Sequence, residues 1–214
     1  FDCHLPENRL RIYDPAYTSS RPDRFLTFAQ LFELLDPLPL KQIVLMGAEP
    51  VCDPRLPDIL KSVKEKKECS IVLLTNGRKY PPLDLVDHVV FSIKAVTPEL
   101  HRDYTGEDNA EILANFPSVA AAKKGSIYTE TVFIPGYIDE DEVLRIAGFI
   151  ASVDPSIPFR IDAYLPVPYL PWRAPTVAEI TGLRERAAEM LPNATCFYGD
   201  EGNTPLAYEV ARIF

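Results

Sequence analysis

Ile43-Val44-Leu45-Met46-Gly47-Ala48-Glu49-Pro50, followed one unit later by Ile71-Val72-Leu73-Leu74-Thr75-Asn76-Gly77, is the part of the chain that decides its fold. Each stretch is an apolar run that ends in small, turn-forming residues. Between them, Pro54 to Lys67 carries Leu56, Ile59, Leu60 and Val63 at helical spacing, with Lys61, Lys64, Glu65 and Lys66 on the other side. Strand, helix, strand requires parallel pairing, so both strands finish at one edge of the sheet. Ligands bind at that edge in parallel α/β proteins, because its loops can offer main-chain N–H and C=O groups without disturbing the sheet.

The same alternation extends outward. Thr27 caps a short helix through Leu35, and the first two strands are read as Gln42 to Met46 and Ser70 to Leu74. After the Pro81-Pro82 turn, Val89 to Ile93 is a third strand whose continuous apolar character predicts cover on both faces. Helical patterns follow over Pro98 to Tyr104 and Asn109 to Lys124, with Gly125 as C-cap. Tyr128 to Ile134, Ile157 to Leu165 and Ala194 to Tyr198 read as strands, Asp139 to Val153 and Thr176 to Leu191 as helices. Such alternation throughout predicts an α/β fold with parallel strands, either an open, partial (β/α)6-type barrel or a doubly wound sheet. No composition break divides residues 1–214, so a single domain is expected, with 169–214 of unclear role.

A net charge of -9 disfavours broad binding to nucleic acid or anionic membrane, which needs a Lys/Arg surplus. No apolar run approaches the ~20 residues that span a bilayer, and no secretory leader is read at the start. Cys3, Cys52, Cys69 and Cys196 are widely spaced without a disulfide-framework pattern, which points to a reducing, cytoplasmic setting. Phe1-Asp2-Cys3-His4 opens in mid-motif, so further N-terminal sequence is expected. The 21 prolines against 9 glycines indicate stiff, element-ending turns.

Gly47 to Pro50 lets a ligand approach the backbone closely, or is an ordinary strand-to-helix turn; Thr75-Asn76-Gly77 alone is a common turn. Lys94 ends the third strand, either as an amine at the ligand edge or as a surface residue. Glu130, Arg160 and Asp162 fall within apolar strands and are expected to point inward, where charges persist only when paired; an internal salt-bridge network is the plain alternative. His4, His88 and His101 share no metal-ligand spacing, and Tyr13, Tyr17 and Trp172 read as packing residues.

In order and spacing these pieces resemble the radical S-adenosylmethionine superfamily, in particular the branch that contains pyruvate formate-lyase activating enzyme. Cys3-His4-Leu5-Pro6-Glu7 is similar to the end of the cluster signature CxxxCxxC. Gly47-Ala48-Glu49-Pro50 resembles the GGEP strand end, and Thr75-Asn76-Gly77 the TNG that follows. Asp87 to Asn109, with Lys94, Pro98-Glu99-Leu100-His101 and Thr105-Gly106, resembles the branch's aspartate-x-lysine strand and the segment after it. Phe133-Ile134-Pro135-Gly136 with Asp139-Glu140-Asp141 resembles its Val-Pro-Gly turn and helix start. The likeness spans about Cys3 to Pro168.

The resemblance implies a 4Fe-4S cluster on three thiolates, Cys3 among them in a cluster loop whose end is residues 1–10. It implies a cysteine immediately before Phe1 and another four residues earlier. S-adenosylmethionine would be held by Gly47, Ala48, Glu49 and Pro50 at its amino group, with Thr75, Asn76, Ser92, Lys94 and Glu130 around it and Lys94 as the catalytic candidate. Reductive cleavage of that cofactor, with electrons from a donor such as flavodoxin or ferredoxin, gives a 5′-deoxyadenosyl radical that takes hydrogen from a protein, peptide or small-molecule substrate. Ser92 replaces the branch's aspartate, Glu130 stands where arginine is usual, and Ala48 replaces the second glycine. Two other readings stay open: a cluster-less partial barrel serving as a binding or scaffolding module, and an unrelated α/β barrel enzyme using Lys94 as a Schiff-base or cationic residue.

Overall fold

The computed structural model describes residues 26–47, 49–166 and 170–198. Its elements run α1 (Phe28–Leu35), β1 (Gln42–Leu45), α2 (Leu56–Lys66), β2 (Ser70–Thr75), β3 (His88–Ser92), α3 (Pro98–Thr105), α4 (Ala110–Ala122), β4 (Ile127–Phe133), α5 (Glu140–Val153), β5 (Phe159–Ala163), α6 (Val177–Ala188) and β6 (Ala194–Phe197). The strands form one sheet in the order β1-β2-β3-β4-β5-β6, every neighbouring pair parallel, with β1 and β6 as edges. The sheet is therefore open rather than closed, as the alternating pattern predicts.

Local chemistry sets the element boundaries. Thr27 and Gln30 form a capping box at the start of α1. Thr176 and Glu179 form another at α6, where bonds from Arg173 and Thr176 hold the Glu179 carboxyl down to about 2. The α2 pattern starts later than Pro54 because the Asp53 carboxylate accepts from the Arg55 N–H at 2.8 Å, keeping a turn before Leu56. Between β2 and β3 the described chain has only the short 3-10 turn Leu83–Leu85, so strict strand-helix alternation fails there. Regular β5 pairing is confined to Phe159–Ala163, shorter than the apolar run at Ile157 to Leu165.

Helices cover one face of the sheet. Ile71, Leu73, Val89, Phe91, Phe159 and Ile161 are fully buried on that side. The residues alternating with them, among them Val44, Tyr128 and Phe197, stand exposed on the other face. Against the expectation that β3 is covered on both sides, Val89 and Phe91 are enclosed, whereas on the other face His88 and Val90 are half-buried and only Ser92 is buried, so that cover is partial among the described residues. Apolarity alone cannot separate a strand buried twice from one buried once whose second face carries Val and Ser.

The sharpest packing constraint sits where β2 ends. Gly77 has φ +74°, and a Cβ there would lie 2.0 Å from Cζ of Phe91. Phe91 is itself fixed edge-on against Phe116, ring centroids 5.1 Å apart, and Asn115 donates to the Gly77 carbonyl at 2.9 Å. The turn is thus seated on the core aromatic of the next strand. Gly77→Ala is expected to destabilise the fold by about 2–4 kcal/mol, combining left-handed strain with overpacking. A urea denaturation midpoint that does not move would show that this seat is not as tight as described.

Candidate functional site

The site begins with a carboxylate that joins two loops. Gly47 leaves β1 at φ +97°, a backbone state that favours glycine. Half-buried Glu49 then turns back onto the end of β2: its Oε1 accepts from the Thr75 hydroxyl at 2.7 Å and from the Val51 N–H at 3.3 Å, and its Oε2 accepts from the Asn76 N–H at 2.6 Å. The Thr75 hydroxyl in turn accepts from the Gly77 N–H at 3.0 Å. Glu49 and Thr75 are therefore occupied as a brace between the loops. The Asn76 Oδ1 accepts from the Arg78 N–H at 2.9 Å, which leaves its side-chain NH2 without a partner among the described residues.

Register brings the other candidates to the same level. Ser92 lies across from Glu130, Glu130 from Arg160 and Arg160 from Thr195. Asn76, one residue beyond the pair Thr75 and Phe91, comes level with Ser92. By strand alternation this row lies on the open face, with Lys94 and Asp162 one step nearer the ligand edge. Ser92 is 5% exposed, and its buried hydroxyl has no hydrogen-bond partner among the described residues. Half-buried Lys94 makes no ion pair or hydrogen bond among the described residues; burial lowers its pKa, while the charges of Glu130 and Asp162 pull the other way.

The expected inward charges are paired. Arg160 Nη2 donates to Glu130 at 2.8 Å and to Asp162 at 2.9 Å, and its Nε donates to Asp162 at 2.7 Å. Glu130, placed by the sequence beside the cofactor, is engaged by this guanidinium from the next strand. Trp172 stacks on Tyr137 with ring centroids 4.2 Å apart and so packs, as its sequence context indicates.

Two residues that the sequence reading missed fix the loop after Lys94. Buried Glu142, in the first turn of α5, accepts from the N–H groups of Val96 and Thr97 at 2.7 and 2.8 Å and from the Thr97 hydroxyl at 2.6 Å. Buried Asn109 donates to the carbonyls of Ala95 and Val96 at 3.1 and 2.9 Å. The available signal was Glu142 at i-1 of Val143 and i-4 of Ile146, on the edge of the inward stripe.

Comparison with known proteins fits this geometry. The profile of the radical SAM superfamily matches residues 3–147. The chain belongs to the radical SAM superfamily. A protein of Methanocaldococcus jannaschii named as a glycyl-radical enzyme activating enzyme is 27% identical over 178 residues, covering 78% of this chain and 67% of the relative. The pyruvate formate-lyase-activating enzyme of Staphylococcus aureus is 26% identical over 122 residues, 56% of this chain and 48% of that enzyme, so the chain matches about half of its length. Among solved structures, a domain of pyruvate-formate lyase-activating enzyme from Bacteroides vulgatus superposes with TM-score 0.61 at 20% identity, over 74% of this chain and 99% of that one. Streptococcus suis SuiB bound to S-adenosylmethionine gives 0.64 at 14% identity, over 84% of this chain and 45% of its own, which is a likeness of fold.

For a radical SAM protein the described residues fit S-adenosylmethionine, a nucleoside sulfonium, better than the cluster. A buried hydroxyl and an ammonium, both without partners among the described residues, gather at one edge with the glycine-containing loop braced by Glu49. Cys52 is exposed after β1, Cys69 is buried before β2 at the opposite end, and Cys196 lies in β6, so these three thiols do not converge. Among the described residues no group of three His, Cys, Asp or Glu side chains is placed to hold a metal ion. Cys3 and Ala48 lie outside the described residues.

Glu49→Gln keeps one acceptor oxygen and so loses either the Thr75 or the Asn76 bond. The expected cost is about 1–2 kcal/mol, with faster hydrogen exchange at the Asn76 amide. Unchanged exchange there would show that Glu49 does not couple the loops.

Proposed function

We propose that this chain is the core of a radical SAM enzyme related to the glycyl-radical activating enzymes. Its cofactor pair supplies one reaction: reductive cleavage of S-adenosylmethionine at a 4Fe-4S cluster, giving a 5′-deoxyadenosyl radical that takes hydrogen from a substrate. The observation that carries this reading is the Glu49 brace, which ties the chain after β1 to Thr75 and Asn76 beside Lys94, a lysine without an ion pair among the described residues.

In this reading the chain's own groups bind and orient. The Gly47 to Pro50 backbone receives the methionyl amino group, and Glu49 keeps that backbone in place. Asn76 and the Ser92 hydroxyl offer neutral hydrogen bonds, and Lys94 holds the cofactor by its charge on a loop fixed by Glu142 and Asn109. Cys3 is proposed as one cluster ligand, with two more cysteines upstream. Electrons come from a small donor such as a flavodoxin or ferredoxin. The substrate is a protein, peptide or small molecule; support for a peptide comes from the fold likeness to SuiB, solved bound to the precursor peptide SuiA. No helix among the described residues is long and apolar enough to cross a membrane, and a cytoplasmic setting is part of the proposal.

Anaerobic reconstitution of the complete gene product is expected to give about four irons per chain and reductant-dependent 5′-deoxyadenosine. A complete product that binds no iron contradicts the enzyme and favours the cluster-less binding module. Lys94→Met is expected to weaken S-adenosylmethionine binding roughly tenfold at neutral pH. The sign with pH follows from the lowered Lys94 pKa: the ammonium is present below its folded pKa and lost as pH rises through it. Wild-type affinity should therefore fall at a pH below the ordinary lysine value of about 10.4, and the variant should lack that fall. Equilibrium dialysis across pH checks both.

A further inference from the structure

The open face has a second half that the cofactor reading does not use. On β5 the Arg160 guanidinium is anchored through Nε and Nη2 by Asp162 and Glu130, whereas Nη1 has no acceptor among the described residues. Its side chain is 51% exposed, while those of Glu130 and Asp162 are 13% and 28% exposed. Two carboxylates thus orient one guanidinium, the Lys94 ammonium nearby offsets the excess negative charge, and only the two N–H groups of Nη1 are left for a further acceptor. At the same level the buried Ser92 hydroxyl lacks a partner among the described residues, and one step above it the Lys94 ammonium has no ion pair among them. Tyr128 and Phe197, on the strands flanking β5, stand exposed on this face.

We propose that Arg160 is the anion-recognising residue of a substrate subsite on the β4–β6 half of the face, and that its ligand is a carboxylate borne on an aromatic or aliphatic body. A carboxylate oxygen can accept from Nη1 of the guanidinium, which Glu130 and Asp162 hold in one orientation before a ligand arrives. The exposed tyrosine and phenylalanine supply apolar cover for what the carboxylate is attached to. Two carboxylates could reach a guanidinium here: that of a separate substrate or that of the methionyl cofactor. The substrate is favoured because the cofactor loops leave β1 and β2 and Lys94 ends β3, while Arg160 is two strands beyond β3, about 10 Å away. The assignment rests on the proposed function only in giving the β1–β3 half to the cofactor.

The test uses the full chain and two probes, 4-fluorophenylacetate and its neutral isostere 4-fluorophenylacetamide, observed by fluorine NMR. Wild type is expected to bind the acid roughly tenfold more tightly than the amide. Arg160→Gln should abolish that preference, and Arg160→Lys should retain part of it. Because Arg160→Gln leaves two carboxylates unpaired, Glu130→Gln with Arg160→Gln is measured alongside, each fold checked by circular dichroism; it should lose the preference too. S-adenosylmethionine affinity should stay within about twofold of wild type in the Arg160→Gln chain. Equal binding of acid and amide by wild type overturns the proposal. So does a loss of S-adenosylmethionine affinity in Arg160→Gln, which would give the guanidinium to the cofactor's carboxylate. Acid preference in chains that bind no S-adenosylmethionine would sustain the subsite while removing the proposed function.

Discussion

The Glu49 carboxylate is the interaction on which the arrangement depends. It leaves one strand end and closes three hydrogen bonds, two of them onto the next strand's terminal residues. Without it, the loops after β1 and β2 are two separate turns, each free to choose its own conformation. With it, the backbone around Gly47 and the backbone around Asn76 are held at one spacing. Thr75 extends the brace, since its fully buried hydroxyl both donates to Glu49 and accepts from Gly77. Gly77 in turn sits against Phe91, so the loop geometry is tied to the hydrophobic core as well as to a charge.

The second constraint is the parallel register. A parallel sheet brings residues at equal height on successive strands into one row, and here that row is Asn76, Ser92, Glu130, Arg160 and Thr195. Because the described helices cover the other face, the row lies on the side of the sheet that they leave open at the ligand edge. The charge pattern along it changes partway: neutral groups without a side-chain partner among the described residues stand beside β2 and β3, and an ion-paired network of Glu130, Arg160 and Asp162 spans β4 and β5. The departure from the family pattern at Glu130 is thereby offset locally, since the neighbouring strand supplies the guanidinium.

Much of this was legible in the sequence, for physical reasons that differ between elements. Apolar runs ending in Gly-Ala-Glu-Pro and Thr-Asn-Gly mark strand ends because only such residues make tight exits. Thr27 and Thr176 mark helix starts because their side chains cap free N–H groups. The pairing of Glu130, Arg160 and Asp162 followed from the cost of burying unpaired charge. Three things were not legible. The open side of β3 depends on where helices pack, which the strand's own residues do not encode. The Pro81-Pro82 segment after β2 reads as a turn, but that no α-helix follows it before β3 among the described residues was hidden behind regular alternation elsewhere. Glu49 as a brace and Glu142 as a loop clamp depend on contacts 26 and 46 residues apart, beyond any local pattern.

The central claim is that the braced edge of the sheet is where the cofactor binds. Its most direct test is titration of the isotopically labelled full chain with S-adenosylmethionine, following backbone amide shifts. The account predicts that Gly47, Glu49, Asn76, Gly77 and Ala95 move together and saturate at one concentration, while amides on the helix-covered side, such as those of α6, stay fixed. Shifts centred instead on the opposite ends of the strands, around Cys69, His88 and Ser126, would contradict it.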